Sequence, residues 1–359
     1  MSFGVDEILA WIGGRVVNGA ALSGSLAQTR VKQPASLAGS GPEDVAFFFA
    51  PEYQSELPLA KPGILITAPP FCQPLESSGL PLWRSAVVIA CEDPYLAMAI
   101  LSEKFAPLHS TVAHQERPLA FRHPLAWVSP EARIGQNVRI DAHCTIEAGA
   151  EVGDGTVIYP GVSIGPKARV GQDCVLFSHV SIYEMTQIGD RVRIHANSVI
   201  GSDGFGYAPR REGKQVVGHQ KIFHFGRVIV GDDAEIGACV TIDRGTFKDT
   251  WIGKNVKLDN QVHIGHNVRL DEGAVICGGT CFAGNSSAGR YVYVGGLTGV
   301  NNRVHLGDGS KVGALTIVTK DIPPGGDALG TPQRGFREHL QVHAFLNRLY
   351  AGRRKKDEK

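Results

Sequence analysis

The segment LDNQVHIGHNVRL, residues 258–270, sets Asp259, Asn260, Gln261, His263, His266 and Asn267 between aliphatic residues that recur every six positions, Leu258, Ile264 and Leu270. Histidine is the side chain whose ordinary pKa, about 6.5, suits proton transfer near neutrality. His266 is the third residue of its hexad counted from Ile264, past the position an aliphatic ladder would bury. Asp259 precedes it by seven residues, within one coil of such a repeat, where a carboxylate can orient an imidazole. A plain alternative stands beside this reading: Asp and Asn cap turns, and a surface histidine is usually only solvated. Metal binding is the other rival, because His143, His179, His195 and His263 also fall in the repeat. Zinc needs three ligands converging on a point. No two of these coil histidines stand five apart as an HxxxxH pair, so no metal site is expected.

The elements that must carry these groups follow from the period. From Ile134 to Ile200 every sixth residue is aliphatic, through Ile140, Ile146, Val152, Ile158, Ile164, Val170, Leu176, Ile182, Ile188 and Ile194. A helix repeats at about 3.6 and a strand at 2, so neither gives this period alone. A short strand plus a tight turn, repeated, does. Gly, Asp and Asn follow the aliphatic residue in IGQN, VGDG and VGQD, and those residues turn the chain at little cost. The register breaks at GSDGFGYAPRREGKQVVGHQKIFHFG, resumes at Val230, Ile236 and Ile242, and slips by four through DRGTFKDT. It then runs in sixes from Ile252 to Val318, with Phe282 and Ala288 its only members that are not branched aliphatics. Three hexads, about 18 residues, make one coil of a triangular prism, and stacked coils bury a continuous core. The period does not set the hand of the coil.

Residues 1–110 lack the ladder. VAFFFAPEYQSEL, GILITAP and SAVVIACEDPYLAMAILSEKF read as strand, strand, and strand followed by helix, a small α/β domain. LHSTVAHQERPLAFRHP, polar and Pro-bearing, reads as a linker. The expected organisation is an α/β domain over 1–110, the repeat domain over 111–325, and a C-terminal extension over 326–359. In that extension GFREHLQVHAFLNRLYAG has helical apolar spacing, and GRRKKDEK reads as a solvated basic tail.

With 359 residues, 43% hydrophobic, the chain is globular and long enough for more than one unit. Lys+Arg 36 against Asp+Glu 35 offers no electrostatic case for nucleic acid. The 44 glycines point to many tight turns. The opening MSFGVDEILAWIGG has no secretory pattern, and no apolar run reaches the roughly 18 residues of a membrane span. The seven scattered cysteines (72, 91, 144, 174, 239, 277, 281) are expected to be reduced. The five in the repeat region fall at positions suited to small buried residues, as in a cytoplasmic protein.

GSDGFGYA (201–208), GRVIVGDDAEIGACVTIDRGTFKDTWIGKNVKLDNQVHIGHNV (226–268) and FFFAPEYQSEL (47–57) closely resemble the UDP-3-O-acylglucosamine N-acyltransferase family of lipid A biosynthesis, and the resemblance covers nearly the whole chain. It implies a left-handed parallel β-helix of hexapeptide repeats, with a small N-terminal α/β domain and a C-terminal helix. It also implies a cytoplasmic homotrimer with active sites between neighbouring prisms. The donor would be an acyl chain, usually 3-hydroxylated, carried as a thioester on acyl carrier protein. The acceptor would be the 2-amine of UDP-3-O-acylglucosamine, with no further cofactor. His266 matches the general base, Asp259 and Asn260 the supporting positions, with Asn267 beside the base. Gly284 matches the glycine whose N–H meets the oxyanion. Phe47 and Tyr53 match the aromatic pair on uracil. Lys320 falls near the phosphopantetheine arm and Ile317 near the end of the acyl groove. Two positions depart from the pattern. Ala50 stands where an Asn is common, and Arg303 where a second histidine is common. Arg303 can hold phosphate or a carbonyl but trades no proton near pH 7. The departures keep open a related acyltransferase acting on another nucleotide sugar. A non-catalytic trimeric scaffold is the remaining alternative.

Overall fold

The computed structural model describes residues 2–109, 120–330 and 336–357. The chain divides into two compact units, Met1–Arg117 and Pro118–Lys359. Most of the linker segment lies outside the described residues.

In the first unit the apolar runs become a five-stranded sheet in the order Arg15–Val16, Val87–Ala90, Ile64–Thr67, Asp44–Phe48, Gln33–Pro34. All neighbours are parallel except the first pair. Ile64–Thr67 and Val87–Ala90 are buried on both faces, which is why they read as unbroken apolar runs. One face packs on the helices Val5–Ile12 and Pro94–His109 through Ile8, Leu101 and Phe105. The other packs on Leu75, Leu82 and Trp83. The N-terminal helix was not evident from periodicity. Its signals are local: Glu7 accepts from the Gly4 N–H at 2.7 Å, and Gly13 closes the helix with φ 69°.

The second unit is a left-handed parallel β-helix. Two-residue strands stack into three parallel sheets of 9, 11 and 10 strands, and partners lie one coil apart: Arg133 pairs Glu151, Arg139 pairs Val157, Thr145 pairs Ser163. Every ladder residue from Ile140 to Val318 is buried, and the stack forms one core. Each such side chain contributes roughly 1.5–3 kcal/mol by leaving water. A second row of small side chains, two residues before the ladder, fills the prism beside it, for example Ala150, Ala168, Cys174, Val180 and Ser198.

The third residue after a ladder position takes the left-handed conformation wherever the repeat continues unbroken, as at Asn137, Gly149, Gly155, Asp173, Asn197, Asn255, Asn267 and Asn285. Gly and Asn pay little for that conformation. The period of six and the glycine content therefore have one cause, a corner that needs positive φ. His143, Tyr291 and Leu297 occupy such corners too, at φ between 54° and 61°. The stacked ladders hold them there.

The cysteine expectation needs correction. Cys144 and Cys174 sit in the small buried row, and burial pushes the Cys174 thiol up to about 11. Cys239 and Cys281 are exposed and Cys277 is half-buried. All seven are free thiols.

The break after Ile200 is an exposed antiparallel hairpin, Tyr207–Glu212 with Gln215–Lys221, turned at Gly213 with φ 59°. The ladder then resumes in register: Ile188 pairs Val230 and Ile194 pairs Ile236. The last rung of pairing is Asp327–Ala328 on Lys311–Val312. A terminal helix runs Phe336–Asp357, so the basic run is helical through Asp357. Leu340, Phe345, Leu346, Leu349 and Tyr350 are exposed on it. Among the described residues no helix is long and apolar enough to cross a membrane.

Candidate active site

The repeat places residues eighteen apart on one edge of the prism, at a rung spacing of about 4.8 Å. His266, Gly284, Asn302 and Lys320 occupy the same corner position on successive coils. His266 to Lys320 is three rungs, roughly 14 Å. On the adjoining sheet face, His263, Cys281, Gly299 and Ile317 pair in register and point outward. A side chain added at Gly299 would meet nothing within 4 Å, and Ile317 is 78% exposed at the far end. Beyond His263, a stripe of small and apolar residues, Cys281, Gly299 and Ile317, thus runs beside the polar edge.

His266 is half-buried and its ring is oriented from one side. Nδ1 lies 3.0 Å from Asn267 Oδ1 and 3.4 Å from Thr246 Oγ1. The Asn267 amide is itself fixed: its Nδ2 donates to the Lys248 carbonyl at 3.0 Å, and its Oδ1 accepts from the Thr246 N–H at 3.2 Å. An amide oxygen only accepts, so Nδ1 of His266 carries the hydrogen and Nε2 carries the lone pair. Nε2 faces Gly284 so closely that a Cβ there would stand 2.5 Å from it. The Gly284 N–H donates to no described group. A lone pair and a free backbone donor therefore adjoin one another. An open groove of about 770 Å³ borders His266, lined also by Thr246, Phe247, Trp251, Asn267 and Asn285 among others.

The other sequence candidates fall differently. Asp259 is not brought to His266 within the chain. Its exposed carboxylate accepts from the Asn260 N–H at 2.7 Å and the Gly278 N–H at 2.9 Å, a cap that staples successive coils. Asn260 does the same one coil back, accepting from the Ala238 N–H at 2.7 Å. Arg303 sits exposed at a left-handed corner, φ 63°, and forms no hydrogen bond or ion pair among the described residues. In the first unit Phe47 is half-buried against the core, whereas Tyr53 is 45% exposed on the short helix Pro51–Glu56. Phe47 and Tyr53 are not in ring contact; the neighbouring contact is Phe49 with Tyr95, centroids 5.9 Å apart. Among the described residues no three metal-ligating side chains cluster.

The carboxylate that does approach the imidazoles is Asp243, which sequence spacing did not single out. It is buried, accepts from Ser202 Oγ at 3.3 Å and faces His263 Nε2 at 3.8 Å. Burial pushes its carboxyl above the ordinary value, against the pull of His263, Ser202 and His266. Asp243 and His266 lie on opposite sides of the four-residue slip, so no fixed spacing connects them.

The repeat matches the family described as "Bacterial transferase hexapeptide (six repeats)" over residues 131–166. A relative from Helicobacter hepaticus, named UDP-3-O-acylglucosamine N-acyltransferase, is 37% identical over 325 residues, 90% of each chain. This chain belongs to the UDP-3-O-acylglucosamine N-acyltransferase family. A Methylorubrum extorquens relative of the same name is 41% identical over 168 residues, covering 47% of this chain and 46% of its own. Among solved structures, the UDP-N-acetylglucosamine O-acyltransferase of Moraxella catarrhalis aligns over 58% of this chain and 71% of its own, at 28% identity and a TM-score of 0.45. The protein is an acyltransferase enzyme on a hexapeptide-repeat β-helix.

Proposed function

We propose that the protein moves a 3-hydroxyacyl chain from acyl carrier protein to the 2-amine of UDP-3-O-acylglucosamine, acting as a homotrimer in the cytoplasm. The observation that carries this is the fixed tautomer of His266, with its Nε2 lone pair against the unpaired N–H of Gly284. The attacking nitrogen bonds the thioester carbon while Nε2 takes its proton. The carbonyl oxygen, now negative, accepts from the Gly284 N–H. Collapse breaks the C–S bond, and the imidazolium returns its proton to the departing sulfur. Proton transfer of this kind is worth roughly 10²–10⁴ in rate, and one oxyanion donor about 10²–10³. No metal enters any step. Lys320, further along the edge, suits the phosphate of the donor's arm. Arg303, unpaired, suits a phosphate or sugar oxygen of the acceptor. Asp259, Asn260 and Asn267 support the turns that carry the site. Mass spectrometry of products from acyl carrier proteins charged with several chain lengths tests the assignment; absence of N-acylated UDP-sugar with every donor would reject it.

Two expectations follow for substrate halves. Ile317 closes the open end of the stripe, so Ile317→Ala should shift preference toward acyl chains longer by one or two CH₂ units, each worth about 0.8 kcal/mol when buried. Competition between donors of different length reads this directly, and an unchanged preference would remove Ile317 from the groove. Phe47 and Tyr53 are assigned to uracil. Because Phe47 also packs the core, Tyr53 is the cleaner test. Tyr53→Ala should raise KM for the UDP-sugar by roughly fivefold, as expected for losing about 1 kcal/mol of aromatic contact. KM for the acyl donor should not move; an equal rise in both would contradict the role.

A further inference from the structure

His224 ends the excursion that interrupts the ladder, and the fold returns it to the site. It is 6% exposed, and its ring lies edge-on to His266, with centroids 5.5 Å apart at 67°. Its Nδ1 is 3.1 Å from the Ile222 carbonyl oxygen. A carbonyl only accepts, so Nδ1 carries the hydrogen and Nε2 the lone pair. That Nε2 is buried and has no hydrogen-bond partner. Gly204, from the DGFGYA motif, is clamped between the two rings. A Cβ there would stand 2.8 Å from His224 Nε2 and 2.8 Å from His266 Cβ. Gly204 has no positive φ. Its glycine is needed for space.

We infer that His224 is a positioning residue for acyl transfer, a neutral imidazole anchored to the Ile222 carbonyl that walls the inner edge of His266 and fixes the direction of its Nε2. The inference rests on the reading of His266 as the base. Asn267 and Thr246 hold His266 through Nδ1 alone, which leaves the ring free to swing about that contact. The wall of Gly204 and His224 removes that freedom. Neutrality is part of the device. A proton on His224 Nε2 would be a buried donor with no acceptor, and it would set a second cation beside the imidazolium that the reaction forms on His266. Burial holds the His224 pKa below the ordinary imidazole value, helped by His266 and Lys221 and opposed by Asp203 and by the bond to the Ile222 carbonyl. Asp203 is engaged by Lys221 at 2.7 Å, and Asp243 acts on the pair from its own buried site.

The test uses the full chain, wild type and the variants His224→Gln and His224→Phe. Gln keeps a donor for the Ile222 carbonyl and cannot charge; Phe keeps the ring and loses the anchor. In ¹⁵N-histidine spectra, the resonance lost in His224→Gln should be an Nδ1–H tautomer that stays neutral below the ordinary titration range of histidine. An Nε2–H tautomer, or titration at the ordinary value, would overturn the inference. His224→Gln should keep kcat within about threefold, and His224→Phe should lose roughly tenfold, the scale expected of a sub-ångström misplacement of a catalytic group. KM for the donor should hold in both. Phe at wild-type turnover, or Gln as impaired as Phe, would also overturn it. Normal turnover in His266→Ala would instead sink the base assignment, and the spectra of His224 would still stand.

Discussion

His266→Ala should fold and assemble as the parent does and lose at least about two orders of magnitude in kcat, the lower range of a lost general base. The residue lies two positions past the buried Ile264 and contributes nothing to the ladder core, so thermal unfolding should shift little. Stopped assays with acyl carrier protein thioester and the UDP-sugar measure the rate, and melting curves control for structure. Turnover within a few-fold of the parent, in a variant that melts normally, would remove His266 from the chemistry.

Gly284→Ala carries the second large effect. The backbone at this glycine does not have positive φ, so alanine is conformationally permitted and the coil should form. The added methyl would stand 2.5 Å from His266 Nε2, inside any real contact distance, and must displace the ring. It also fills the space in which the carbonyl oxygen has to meet the Gly284 N–H. Losing alignment of base and oxyanion donor together should lower kcat by about 10²-fold or more, some 2.7 kcal/mol. KM for both substrates should change much less. Steady-state kinetics on the purified variant decides the matter; a rise in KM with kcat preserved would mean that Gly284 borders a binding surface and not the reacting atoms.

The fold was legible in the sequence because one physical requirement is repeated on every coil. Ile140, Ile158 and Leu176 had to be inward, and the glycines and asparagines three residues after such positions had to turn the corner. The edge that carries His266, Gly284 and Lys320 follows from the same count of eighteen. The surroundings of Asp259 were less legible: a carboxylate beside a turn is attractive to the nearest backbone N–H groups, and within the chain Asn260 and Gly278 donate to it. Asp243 and His224 were hidden for a different reason. Asp243 reaches His263 across the slip before Ile252, and His224 reaches His266 from the 201–226 excursion, and in neither segment does a period relate position in sequence to position in space. The motif DGFGYA was visible as a string, but its purpose was not. Gly204 is needed because two rings close on it, and only the folded chain brings those rings together.

The proposed reaction turns on Nε2 of His266 as the acceptor of the amine proton. The most direct measurement is the pH dependence of kcat/KM, referred to the fraction of acceptor present as free amine, which titration of the UDP-sugar supplies separately. In the parent enzyme the corrected rate should still rise with pH as the His266 lone pair becomes available. In His266→Ala that rise should be missing from the small residual rate. A residual profile that keeps the same rise would show that another group takes the proton, and would contradict the account.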